Sequence, residues 1–323
     1  MKHWIAGMGA VLQLVASCAW AQSPAPSERV LRIVVPFAAG GPTDVLARVL
    51  APILSASIKR TVIVDNKVGA TGAIGAAFVA KAPPDGDTLL LGTSSIMAAS
   101  PNLSTRLPYD PVNDFVPISL IATIENVLVV HPSVPARNVR EFIDYARANP
   151  GKLTYATSGI GSTYHLGGEL FRSQAGIELT HVPYKGAAPA IQDVLAGHVL
   201  AMFDNMSSAI PNIQAGRVRA LGVASLKRYP ALPDLPTVAE SGLPGYETTI
   251  WLAFFTPAKT PGAVVQRLHE EIVAAVNSPA YQARLQTLDM QPLTSSPQQL
   301  AGYLKADLAK WNKVVREAGI KPE

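Results

Sequence analysis

The chain has 323 residues, 48% of them hydrophobic and only 15% charged, against roughly 25% charge in an average soluble domain. Disordered and coiled-coil chains need far more charge, so both classes are excluded. The net charge of +4 arises from interspersed signs with no basic block, which excludes a nucleic-acid partner of the usual kind.

The chain opens with Lys2, an apolar stretch from Trp4 to Ala16, and the small-x-small triplet Ala19-Trp20-Ala21. This pattern predicts a secretory signal peptide over residues 1–21, cleaved before Gln22, and hence a periplasmic location. The apolar run is shorter than the roughly 20 residues of a membrane span. Val15-Ala16-Ser17-Cys18 offers an alternative, a lipobox whose acylated cysteine would anchor the protein. Cys18 is the only cysteine, so the mature chain has neither a disulfide framework nor a cysteine metal site.

At roughly 150 residues per domain the length suits two domains. Leu31–Val35 reads as a buried strand, followed by Pro36-Phe37-Ala38-Ala39-Gly40-Gly41 and a helix starting near Pro42-Thr43-Asp44. Thr61–Asp65 is a second strand. Gly69-Ala70-Thr71-Gly72 leads into a second helix, and Thr88–Gly92 is a third strand. Strand, helix, strand, helix, strand predicts parallel pairing through right-handed crossovers. Apolar runs follow at Val116–Ile124 and Val127–His131 after an irregular stretch around Pro101–Asp114.

The alternation then restarts, with helices at Val139–Ala148, Thr163–Gln174 and Ala187–Leu195. Strands are expected at Leu153–Ala156, Leu179–Val182, Val199–Phe203 and Ala220–Ala224. This is a second, similar α/β unit, without a residue-level repeat of the first. The last hundred residues hold one strand, Thr249–Phe255, and long helices. Val264, Leu268, Ile272 and Val276 fall at helical spacing, as do Leu300, Leu304, Leu308, Trp311 and Val315. These helices should cover the first unit. The plan is two α/β lobes with mainly parallel sheets and a ligand cleft between them. Residues 22–124 plus 226–323 form lobe 1, and residues 125–225 form lobe 2.

Consecutive glycines before a helix start let the backbone approach a ligand and present unpaired amides at a positive dipole end. The Pro36–Asp44 turn therefore reads as an anion site without a cationic side chain. The alternative is a tight turn with Thr43 or Asp44 as helix cap. Ser158-Gly159-Ile160-Gly161-Ser162-Thr163 repeats that logic in the second unit. His165, one turn in, either faces the cleft or packs. Asp204 stands at a strand's carboxyl end, where ligands of parallel sheets gather. It either accepts from a ligand or caps a short helix at Asn205–Ile210. Lys185 either meets an anion or is solvated.

Gly69-x-x-Gly72-x-x-Gly75 lacks the order and the acidic ribose partner of a dinucleotide site, so its role is close helix packing. No phosphate loop, H-E-x-x-H or G-x-S-x-G element occurs. The histidines at 131, 165, 181, 198 and 269 show no metal-ligand spacing. No metal or cofactor is called for, and an enzyme would lack a recognisable nucleophile.

Taken together, the chain resembles the solute receptors of tripartite tricarboxylate transporters, the Bug receptors. The resemblance runs from Ile33 to about Ile320. It is carried by VVPFAAGGPTDVLAR (34–48), VDNKVGATGAIGAAFVAKAPPDGDTLL (64–90), LPYDPVNDFVPI (107–118), NPGKLTYATSGIGSTYHLGGELF (149–171), THVPYKGAAPAIQDVLAGHV (180–199), LPTVAESGLPGYE (235–247) and Trp251. It implies a two-lobed, Venus-flytrap periplasmic binding protein of type II, with no enzymatic activity. Such a receptor closes on a small carboxylate and delivers it to membrane permease subunits. Carried over by position, the ligand would be held by Phe37, Ala38, Ala39, Gly40, Gly41 and Asp44 of the first lobe. From the second lobe come Ser158, Gly159, Gly161, Ser162, Thr163, His165 and Asp204. Leu288-Asp289-Met290 replaces a glycine-containing turn, and Ile160 and Tyr164 are bulkier than the resemblance leads one to expect. A monomer is expected. A sensor presenting its closed form to a membrane signalling partner is the alternative function, and a secreted α/β hydrolase a third.

Overall fold

Short β-branched runs alternating with amphipathic stretches fold into two βαβ units, each the nucleus of a sheet. The structure is a computed structural model describing residues 30–322; the expected signal peptide and Cys18 lie outside the described residues. In the first unit β1 (Leu31–Val35), α1 (Pro42–Ile58), β2 (Val62–Asn66), α2 (Ala73–Ala80) and β3 (Thr88–Thr93) follow in order. β1 pairs parallel with both β2 and β3. A wide helical turn at Ser95–Ala99 and a tighter one at Ser100–Asn102 lead towards β4 (Phe115–Ile124).

Only Glu125 separates β4 from β5 (Asn126–Val130), which opens the second sheet. Then come α3 (Val139–Ala148), β6 (Thr154–Thr157), α4 (Thr163–Ala175), β7 (Thr180–Pro183), α5 (Ala187–Leu195), β8 (Ala201–Asn205), α6 (Met206–Gln214) and β9 (Arg219–Val223). β6 pairs parallel with β7 and β8, whereas β5 is antiparallel to β8 and β9. The chain returns as β10 (Ile250–Pro257), then α7 (Gly262–Val276), α8 (Pro279–Gln286), β11 (Gln291–Pro292) and α9 (Pro297–Glu317). The strand orders are β11-β4-β10-β3-β1-β2 and β7-β6-β8-β5-β9.

The expected two-sheet α/β architecture is present, but the sheets are mixed rather than mainly parallel. The parallel pairs are those joined through helices, as crossover connections require. The antiparallel pairs come from the strands that cross between sheets. β10, returning, inserts between β3 and β4 and runs against both. Strand β1 and helices α3 and α5 begin and end where the sequence puts them, while the other expected strands shift by one or two residues.

Three apolar clusters hold the fold together. One packs α1, α7 and α8 on the first sheet through Leu46, Leu50, Leu268, Ile272 and Tyr281. Another packs α5 and α6 on the second sheet through Ile191, Val194, Met206 and Ala209. The largest is shared by both sheets, joining Val34, Leu90 and Trp251 to Leu128, Tyr155, Phe171 and Phe203. In α9, Leu300, Leu304, Trp311 and Val315 are buried as their spacing predicts, with Leu308 partly so. α9 does not cover the first sheet alone, because it also packs against α4. Gly75 is a packing glycine: a Cβ there would lie 2.8 Å from Pro36 Cβ and 2.9 Å from the Lys67 carbonyl oxygen. Among the described residues, no helix is long and apolar enough to cross a membrane.

Candidate functional site

The turn after β1 exposes Ala38, Ala39 and Gly40 and leaves Phe37 and Gly41 half-buried. Gly40 has φ +83°, a left-handed conformation that side chains with a Cβ resist. α1 starts at Pro42 with Gly41 as its cap residue and no side-chain cap, so neither Thr43 nor Asp44 is the cap. Asp44 is buried and reaches back instead. Its carboxylate accepts the Gly40 N–H at 2.8 Å, Arg48 Nε at 2.9 Å and Asn66 Nδ2 at 2.8 Å. Asn66 Nδ2 also donates to the Phe37 carbonyl at 3.0 Å. The Arg48 hydrogen bond, with help from Gly40 and Asn66, overrides burial and holds the Asp44 carboxyl at about 2. Asp44 is thus an ionised brace under the turn. The N–H groups of Ala38 and Ala39 have no acceptor among the described residues.

The second loop is built on the same plan by different means. Ser162 caps α4, accepting the His165 N–H at 3.2 Å. The Gly161 N–H donates to His165 Nδ1 at 3.1 Å and the Gly159 N–H to Thr157 Oγ1 at 3.3 Å. Ser158, Gly159, Gly161 and Ser162 are half-buried, Thr163 is buried, and Ile160 stands 71% exposed at the tip. The N–H groups of Thr163 and Tyr164 have no acceptor among the described residues, as the first turn of a helix dictates. His165 packs: its ring stacks on His181 at 4.1 Å. Burial lowers its pKa, so the ring is neutral at pH 7.

Asp204 is fully buried at the end of β8. Its carboxylate accepts Ser208 Oγ at 2.7 Å and the Asn205 N–H at 2.8 Å. Burial outweighs these bonds and pushes its carboxyl up to about 6. Ser208 lies in α6, so Asp204 is tied to that helix, but it is not its cap: the cap residue is Asn205, and α6 has no side-chain cap. The helix itself begins at Met206 and runs to Gln214, longer than expected. Tyr164 of α4 lies near Asp204, whose charge helps raise its phenol pKa, second to burial. Lys185 is exposed.

The two loops thus stand at the carboxyl ends of β1 and β6, each with a helix start behind it. Each is braced by its own network, with no hydrogen bond between them among the described residues. The second loop touches the first-sheet half of the chain at Gly161, where a Cβ would lie 2.8 Å from Leu103 Cδ1. Sequence reasoning missed Asn66 of β2, which holds the first loop, Thr157 at the end of β6, which holds the second, and His181 of β7, whose ring contacts both Thr157 and His165. It also missed Ser94, just past the carboxyl end of β3, whose buried hydroxyl lacks a partner among the described residues. A separate surface groove between α6, β9 and Ala231–Leu235 involves neither loop.

Residues 46–320 match the tripartite tricarboxylate transporter family receptor. The chain belongs to that family. It is a family of solute receptors, not of enzymes. The match begins just after the first-lobe turn and includes the second-lobe loop and Asp204. Among solved structures, R. palustris Rpa4515 with adipate is 41% identical over 91% of this chain and 98% of that one, with TM-score 0.77. The periplasmic binding protein BugD is 37% identical, covering 91% and 99% of the two chains, with TM-score 0.74. MatC from Rhodopseudomonas palustris with bound malate is 32% identical, covering 88% and 98%, with TM-score 0.72.

Proposed function

We propose that the protein is a periplasmic solute receptor that closes on a small carboxylate and delivers it to a tripartite tricarboxylate-type permease. The ligand class comprises dicarboxylates, amino acids and aromatic acids. The carrying observation is the pair of braced glycine loops, each presenting unpaired amides (Ala38 and Ala39 within the first, Thr163 and Tyr164 at the helix start of the second), in a family whose relatives include structures with adipate and malate. Unpaired helix-start amides favour an anion through both hydrogen bonding and the helix dipole.

Phe37, Ala38, Ala39, Gly40 and Gly41 would line one side of the ligand, and Ser158, Gly159, Gly161, Ser162 and Thr163 the other. Asp44, His165 and Asp204 act from behind, because their polar atoms already serve the loops and α6. Residues 22–124 plus 226–323 and residues 125–225 would move as two lobes about the crossing at Glu125. Glu125 supports that role: its carboxylate accepts Thr123 Oγ1 at 2.9 Å and Thr249 Oγ1 at 2.8 Å, joining the outgoing strand to the segment entering the returning one. The signal peptide over residues 1–21 would deliver the chain, as a monomer, to the periplasm.

A thermal-shift screen of residues 22–323 against C4–C6 dicarboxylates, citrate, acidic amino acids and aromatic acids tests the proposal. A ligand at 100 times its dissociation constant adds about 2.7 kcal/mol, a shift of a few degrees. A panel that stays flat both before and after unfolding and refolding to remove bound solute would sink the carboxylate class.

A further inference from the structure

His181, the second residue of β7, shows no metal-ligand spacing, yet it stands behind the second loop at the point where both glycine turns are secured. Its ring and that of His165 lie 4.1 Å apart with planes within 19°. Tyr155 of β6 also stacks on it, at 5.1 Å. His181 Nε2 and Thr157 Oγ1 share a hydrogen bond of 2.6 Å. Each of these two neighbours holds a glycine amide of the loop: His165 Nδ1 takes Gly161 N–H, and Thr157 Oγ1 takes Gly159 N–H. Gly159 and Gly161 have φ of +132° and +75°, conformations open to glycine, whose large backbone freedom must be restrained for the loop to keep one shape.

We infer that His181 is a positioning residue for ligand binding: one imidazole fixes both glycine turns, Gly161 by stacking through His165 and Gly159 by hydrogen bonding through Thr157. It thereby aims the free amides of Thr163 and Tyr164. The inference rests on the second loop being a carboxylate-binding element, as proposed above.

The surroundings keep the arrangement in one protonation state. Burial, with the neighbouring His165 as a smaller cause, pushes the His181 pKa down to about 4. His165, accepting at Nδ1, carries its proton on Nε2 when neutral. The charged and titratable groups around the pair are Tyr155 of β6 and Glu169 and Arg172 of α4. Tyr155 donates to Glu169 at 2.7 Å and Arg172 pairs with it at 2.7 Å, so the acid is already engaged. Protonating either ring would place a charge against a stacked neighbour, and a proton on His165 Nδ1 would displace the Gly161 N–H.

Amide resonances of Gly159 and Gly161, read by two-dimensional NMR with hydrogen exchange, test this directly. His181→Phe keeps a ring for His165 and removes the partner of Thr157. The Gly159 amide should shift and exchange about tenfold faster while Gly161 holds, the scale of one lost hydrogen bond. His181→Gln keeps a partner for Thr157 and removes the ring, so the response should fall on Gly161. In the wild-type protein, both amides should move with the His181 ring titration, which decides the matter even where a variant fails to fold.

Calorimetry with adipate and malate then measures affinity in the same proteins. Whichever acid the wild-type protein binds should bind both variants about tenfold more weakly. Unchanged amides in the folded variants, or a ring titration that leaves them still, overturn the role of His181. Responsive amides with unchanged affinity overturn instead the second loop as the carboxylate site, leaving the hold of His181 on it intact. If the wild-type protein binds neither acid, the amides decide alone.

Discussion

The carboxylate of Asp44 accepts the backbone N–H of Gly40, four residues back, at 2.8 Å. An acid one turn into a helix thus reaches past the cap residue and ties down the turn in front of it. The same carboxylate holds Arg48 and Asn66. Negative charge directly under a turn proposed to bind an anion would be self-defeating if it were free, but here it is committed to three donors. What it leaves open are the amides of Ala38 and Ala39.

Asp44→Ala should therefore cost stability and binding together. It strips a partner from a backbone amide and from two side chains, one of them charged, at about 1–3 kcal/mol for the groups left buried and unpaired. Because the folded pKa is held near 2, below the usual 3.8, the stability from Asp44 is fully present above about pH 4. It is lost as the pH falls through 2. Denaturant unfolding at pH 7 and pH 2.5 checks this: the gap between wild type and variant should shrink at the lower pH. An equal gap at both would show that the carboxylate charge plays no part.

Glycines 40 and 75 make a contrasting pair. A side chain at Gly40 meets nothing within 4 Å but must adopt φ +83°, whereas one at Gly75 collides with Pro36 and the Lys67 carbonyl. Gly40→Val should cost about 1–2 kcal/mol through left-handed strain and distort the turn, abolishing carboxylate binding in a protein that still folds. Gly75→Val should cost more through overpacking, up to about 3 kcal/mol. Melting temperature and calorimetric affinity, measured on both, separate the two. Full affinity in Gly40→Val would remove that turn from the site.

The fold was largely legible because its local signals agree. Val139–Ala148 and Ala187–Leu195 show their limits in apolar spacing alone, and both are helices over those residues. What local pattern could not show is who pairs with whom. β10 lies between β3 and β4, more than 120 residues from either along the chain, so the sheets emerge mixed. The same limit governed the site. Its glycine loops announce themselves by composition, but their supports come from elsewhere: Asn66 is 22 residues from Asp44, and His181 is 24 from Thr157. Asp289 shows the converse. It occupies φ +51° where a glycine-containing turn was expected, a conformation Asp tolerates better than most residues.

Trp251 ties the returning strand to the last helix. Its indole N–H donates to Asp307 at 2.8 Å, and both residues are buried. Trp251→Phe leaves a packing gap and takes a donor from a buried carboxylate that then has Lys310 as its remaining ion-pair partner. The expected loss is about 2–4 kcal/mol, seen as a lower midpoint in urea with the same slope. A loss below about 1 kcal/mol would mean that Asp307 is satisfied by Lys310 alone.

Asp204 makes the opposite prediction, a substitution that stabilises. Its carboxyl is buried with two donors, and desolvation raises its pKa from 3.8 to about 6. Between these values the folded state binds more protons than the unfolded one, so stability falls as the pH rises through the window. At pH 7.5 the ionised group costs about 2 kcal/mol relative to pH 4, since a tenfold change in proton affinity is worth about 1.4 kcal/mol and part of the shift has already acted at pH 4, where the unfolded carboxyl is about half ionised. Asp204→Asn removes that titration while keeping a carbonyl oxygen for the Asn205 N–H, and the Ser208 hydroxyl can turn to accept from the new amide. The variant should therefore be more stable than wild type at pH 7.5, with the advantage disappearing by pH 4. Urea unfolding at the two pH values reads the difference directly, since every other group titrates alike in both proteins. An asparagine variant destabilised equally at both would show that the two hydrogen bonds, rather than the buried charge, dominate at this position.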